Sequence, residues 1–84
     1  MKEINLNYKE IKVWKVEQKL RRGHSVERIA ESVEVPIEKV EEITVSYKSK
    51  DGTSAESISS TYSITLERVE ILQDAYWEEY ALTL

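Results

Sequence analysis

The sequence predicts an all-α fold of five helices, arranged as two overlapping three-helix units. Three observations carry this. The first is an internal repeat. Gly23 to Ile43, GHSVERIAESVEVPIEKVEEI, aligns without a gap on Gly52 to Leu72, GTSAESISSTYSITLERVEIL, 29 residues further on. Seven of the 21 pairs are identical (Gly23/Gly52, Ser25/Ser54, Glu27/Glu56, Ile29/Ile58, Glu38/Glu67, Val40/Val69 and Glu41/Glu70), and seven more are conservative. Self-similarity at such a period is the mark of a duplicated supersecondary unit, here a helical hairpin. The second observation is apolar spacing of three and four in each half, the period of one helix face. The third is that only two Gly and one Pro interrupt 84 residues, which favours long helices.

Each element follows from local chemistry. Helix 1 is expected from Tyr8 to Arg22, stopped by Gly23 as a left-handed cap behind Arg21 and Arg22. Ser25 caps helix 2, whose inward stripe is Val26, Ile29, Ala30 and Val33. Pro36 suits the first turn of helix 3. Ile37, Val40, Ile43 and Tyr47 form its stripe, and the β-branched Thr44-Val45-Ser46 is the place where it could break. Ser49-Lys50-Asp51-Gly52 is the next interruption. Ser54 caps helix 4, with Ile58 and Tyr62 facing inward. Thr65 caps helix 5, with Leu66, Val69, Leu72 and Tyr76 as its stripe and a continuation past Tyr80.

Extending the alignment backwards places Tyr8 on Ile37, Ile11 on Val40, Trp14 on Ile43 and Gln18 on Tyr47. Helix 3 therefore closes the first unit and opens the second. The expected organisation is one domain over residues 1–84, with unit one at about 8–49 and unit two at about 37–82. Neither hairpin buries its stripe alone; stacking two makes one core. A core this small supports only about 3–5 kcal/mol, which invites oligomerisation.

Composition bounds the function class. Apolar residues are 40% and charged residues 33% of the chain, as in a folded helical domain. No apolar run approaches the roughly 20 residues of a membrane span, so no membrane partner is expected. The opening MKEINLNYKEIK lacks an apolar leader core, and the absence of cysteine fits a reducing compartment; a cytoplasmic location is expected. Without cysteine there is no thiol catalysis or cysteine zinc site. His24, the one histidine, sits between a helix-ending Gly and a capping Ser, and reads as a loop residue. No nucleotide-binding, zincin or triad pattern occurs. No enzyme activity, cofactor, metal or small-molecule substrate is expected.

The residues Leu20, Gly23, Ser25, Ile29-Ala30, Val33, Val35, Val40 and Ile43 resemble the core pattern of the helix-turn-helix superfamily, as in resolvase-type, sigma-factor-like and small bacterial or phage proteins. The resemblance covers about residues 16–47 well and 48–76 more loosely, so the chain looks like a tandem helix-turn-helix. It implies a bacterial or phage source, and that helix 3 and, by the repeat, helix 5 would enter a DNA major groove. Where the family usually has glycine in the turn, this chain has Glu34 and Ser63.

The would-be reading positions are acidic. They are Glu38, Lys39, Glu41 and Glu42 in the first unit, and Glu67, Arg68 and Glu70 in the second, with Asp74 one turn on. Rows of carboxylates repel phosphates. The expected function is therefore regulation by protein contact, on transcription or nucleic-acid machinery for example. Glu38, Glu41, Glu42, Glu67, Glu70, Asp74, Trp77 and Tyr80 would carry it, with tryptophan and tyrosine as anchors. Glu27, Glu31 and Glu34 line helix 2 and Glu78 extends the helix 5 row; solubility and helix-dipole complementarity account for such rows equally well.

The alternative is a DNA-binding regulator. Lys12, Lys15, Lys19 and Arg22 fall in one narrow sector of helix 1 and would hold phosphates, with Lys39 and Arg68 as further basic positions. The charge gradient serves both readings: residues 1–23 carry seven Lys/Arg against three Glu, residues 24–84 five against thirteen Asp/Glu. It permits head-to-tail self-association as well. Helix 1 also has two apolar faces, Val13, Val16 and Leu20 against Ile11 and Trp14. The C-terminal segment is expected to fold back on Trp14; the other reading of this face is a dimer or partner surface.

Overall fold

The computed structural model describes residues 8–83, with side chains over 11–79. Among these residues there are five α-helices and no strand: α1 (Tyr8–Arg21), α2 (Val26–Val33), α3 (Ile37–Lys50), α4 (Ala55–Tyr62) and α5 (Leu66–Thr83). Shifted by 29 residues, α1 and α2 land on α3 and α4 at both ends, and the start of α3 lands on the start of α5.

The repeat extends to single hydrogen bonds. Gly23 and Gly52 take φ of 84° and 81°, the left-handed region open to glycine. The amide of the residue after each glycine reaches back to a carbonyl five residues earlier, His24 to Lys19 at 3.2 Å and Thr53 to Lys48 at 3.1 Å. This closure satisfies the last carbonyls of α1 and α3. Ser25 and Ser54 then cap α2 and α4, each hydroxyl accepting from the amide three residues on at 3.2 Å. Thr65 caps α5 in the same way, accepting from the Arg68 amide at 3.3 Å. Pro36 is the N-cap of α3, one position earlier than its expected place in the first turn, and offers no side-chain cap.

Glu34 and Ser63 end α2 and α4 at φ of 61° and 57°. Both occupy the left-handed conformation that glycine would take more cheaply, and both turns keep their shape without it.

The core is one connected cluster that includes Val16, Leu20, Ile29, Val40, Val45, Ile58 and Val69. Helix α3 lies at its centre, packed on α1, α2 and α5, while α4 packs on α5. Two faces of α3 are buried, Val40 and Ile43 on one and Val45 and Ser49 on the other. The β-branched run is therefore continuous helix. Thr44 and Val45 are fully buried, and the Thr44 hydroxyl donates to the Val40 carbonyl at 2.7 Å inside the helix. Tertiary burial on both sides overrides a modest propensity cost.

Two expectations fail at the edges. Trp14 is 60% exposed, so the described part of α5 does not cover it. Leu66 is 38% exposed and stands outside the α5 stripe, where Val69 is fully buried and Leu72 half-buried.

Candidate protein-binding surfaces

Two outer helix faces concentrate charge and exposed apolar side chains. They lie at opposite ends of the repeat. On α5, Glu67, Glu70, Asp74 and Glu78 are all exposed and recur at three- and four-residue steps, which puts them on one side of the helix. Ile71, 58% exposed, and Trp77, 46% exposed, lie in the same row. The Trp77 ring meets Tyr76 edge-on at 4.9 Å, which restricts how it projects. The backbone of Tyr80 belongs to α5, but its side chain lies outside those described.

The acidic positions of α3 behave differently. Glu38 is exposed, yet its carbonyl accepts from the Arg68 guanidinium at 3.4 Å. The Glu41 carboxylate accepts from Arg68 Nε at 3.1 Å across the α3–α5 contact, with only 20% of its side chain exposed. Glu42 pairs with Lys39 on the same helix at 3.3 Å. Of the expected row, Glu41 is thus engaged with α5 and Glu42 with its own lysine, while Glu38 stays exposed.

On α1, Lys15 and Arg22 are exposed and Lys19 is half-exposed, and together with Trp14 and Gln18 they line a shallow groove beside the end of α2. Ile11, 37% exposed, lies on the same face. Lys12 lines the same groove. Its ammonium donates to the Val33 carbonyl at 2.9 Å and the Glu34 carbonyl at 3.2 Å. Those are the last carbonyls of α2, and a cation there completes the helix end and meets the negative pole of its dipole. Of the six basic residues read as phosphate contacts, then, Lys12 and Arg68 bond across helices, while Lys39 pairs with Glu42 on the half-exposed side of its own helix. Glu34 caps α2 and lines the same groove.

The sequence reading missed Ile71. It lay between acidic residues and off the inward stripe, and its signal was that the repeat places it on Glu42, a polar position. Among the described residues no group of three His, Cys, Asp or Glu side chains is placed to hold a metal ion. No helix among them is long and apolar enough to cross a membrane.

No protein-family model, curated protein or solved structure matches this chain.

Proposed function

We propose that this chain is a small non-enzymatic regulatory protein of helix-turn-helix type that acts by protein contact, with the outward face of α5 as its binding surface. The observation that carries the reading is the single row of Glu67, Glu70, Asp74 and Glu78 around the exposed Ile71 and Trp77. Such a row repels a phosphate backbone and suits a partner that offers cations around an apolar centre. Large apolar side chains left in water on a small helical protein are the usual anchors of such contacts. Transcription or nucleic-acid machinery is the setting the helix-turn-helix resemblance suggests.

The test is affinity capture from the source cells with the intact chain and with an Ile71→Ser/Trp77→Ala double variant whose helical circular dichroism matches it. The expected result is a defined partner held by the first and lost by the second. Equal recovery by both would remove α5 as the binding face.

The second reading is DNA binding through α1. What favours it is the grouping of Lys15, Lys19 and Arg22 with Trp14 along one groove. It calls for duplex binding that weakens steeply as salt rises. A labelled random-sequence duplex, titrated at low and at physiological salt and followed by fluorescence anisotropy, separates the two: the α5 reading expects no binding at either.

A further inference from the structure

We propose that the chain associates head to tail with itself, the outer face of α1 in one copy seating on the outer face of α5 in the next. This rests on the reading of α5 as a docking face and names its occupant as a second copy.

The argument starts from a contact the chain already makes twice. The cleft between α1 and α3 is lined by Val13 and Glu17 on one side and by Ile43, Ser46 and Tyr47 on the other. Moved along by 29 residues, these positions become Glu42 and Ser46 against Leu72, Ala75 and Tyr76, which line the cleft between α3 and α5. One helix-on-helix contact is thus repeated, each helix receiving the next with one face and presenting another face to the helix before it.

Continue the series one step in each direction. The face with which α5 would receive a further helix contains Ile71 and Ala75, the counterparts of Glu42 and Ser46. The face that α1 would present to a preceding helix contains Trp14, Glu17 and Gln18, the counterparts of Ile43, Ser46 and Tyr47, with Ile11, the counterpart of Val40, one turn before Trp14. Val40 is fully buried and Ile43 is 9% exposed, whereas Ile11 and Trp14 stand at 37% and 60%. Residues of α1 that match the core therefore stand exposed where their counterparts on α3 are buried. Trp14 and Ile71 are the two most exposed large apolar side chains among the described residues, and this step brings them together.

Charge agrees with the pairing. Trp14 is flanked by Lys15, Lys19 and Arg22, Ile71 by Glu67, Glu70, Asp74 and Glu78. Opposite rows around matched apolar centres fix register and orientation. The same rows disfavour two copies meeting α5 to α5 or α1 to α1.

A contact between two different faces does not close on itself in a pair, so it adds copies in a row. The junction lacks the counterpart of α2 or α4, the short helix that completes each contact within the chain. It therefore buries less than the roughly 1,200 Å² of a stable interface, and association is weak and weakened further by salt.

Sedimentation velocity of the full chain at rising concentration tests this. At low salt the mean mass should climb with concentration without a fixed stoichiometry, and fall towards the monomer at high salt. Two variants decide the geometry, Trp14→Ser and Ile71→Ser, both at exposed positions and both checked for unchanged helical circular dichroism. Every head-to-tail contact needs one Trp14 and one Ile71, so each variant alone should be monomeric. Mixed in equal amounts they regain a single intact contact, and the mass should rise to two chains and stop there.

A monomer at all concentrations overturns the proposal, as does a mixture of the variants that stays monomeric. Dimerisation retained by either variant alone points to like faces meeting and overturns it too, as does assembly of the intact chain only on added duplex DNA. A monomeric chain whose captured partner is still lost on Ile71→Ser would leave α5 as a docking face and remove only the second copy as its occupant.

Discussion

Ser49 occupies the place that Leu20 holds one repeat earlier. It is 1% exposed, and the structure gives its hydroxyl no hydrogen-bond partner. A hydroxyl taken out of water without a partner costs about 1–3 kcal/mol, and serine is also a poorer helix former than alanine. Ser49→Ala should therefore raise stability by about 1 kcal/mol, read as a higher urea midpoint at unchanged slope. A lower midpoint would mean that the hydroxyl has found a partner. Lys12 shows the opposite case, a charged side chain whose position on an outer helix suggests solvent or ligand but whose ammonium completes the end of α2.

At the scale of the element, α5 is held on α3 by apolar contact and by one bridging side chain. The Arg68 guanidinium spans from the Glu41 carboxylate to the Glu38 carbonyl. Its side chain is 34% exposed, so water and salt screen the pair. A double-mutant cycle with Arg68→Ala and Glu41→Ala should give a coupling of about 0.5–1 kcal/mol that shrinks as salt is added. A coupling near zero at low salt would leave the positioning of α5 to Val69 and its neighbours alone. The helices themselves were legible because their signals are local: serine and threonine caps, glycine stops and a three-four apolar stripe need only neighbouring residues, and the repeat supplied each of them twice. The continuity of α3 was within reach too, since the repeat sets Val45 on the buried Val16, so the β-branched run marks a second core face. Side-chain partners across helices were not legible. Nothing near Lys12, Arg68 or Glu41 in sequence says that each would be engaged by residues 20 or more positions away. For that reason the engagement of Lys12 and Arg68 across helices could not be read ahead, and the exposure of Trp14 depended on where α5 ended up.

The whole molecule is organised around a helix that belongs to both halves. Val40 and Ile43 of α3 are buried on one face, Val45 and Ser49 on the other, and the buried cluster runs through this helix without a gap. Unfolding either half would expose one apolar face of α3, so neither half has a separate free-energy minimum to rest in. Nature has placed one tryptophan in each half, Trp14 on α1 and Trp77 on α5. Trp14→Phe and Trp77→Phe give single-tryptophan chains that report on opposite ends, each compared with its own far-ultraviolet circular dichroism so that any change in stability is common to both signals. In each chain the fluorescence and dichroism transitions in urea should share one midpoint and one slope, as all-or-none unfolding demands. The comparison is made at low concentration and high salt, where association through the α1 and α5 faces adds no stability of its own. Fluorescence from Trp14 that changes well before the dichroism is lost would show α1 and α2 peeling from a persisting second half, and the shared helix would then be a joint between two units instead of their common core.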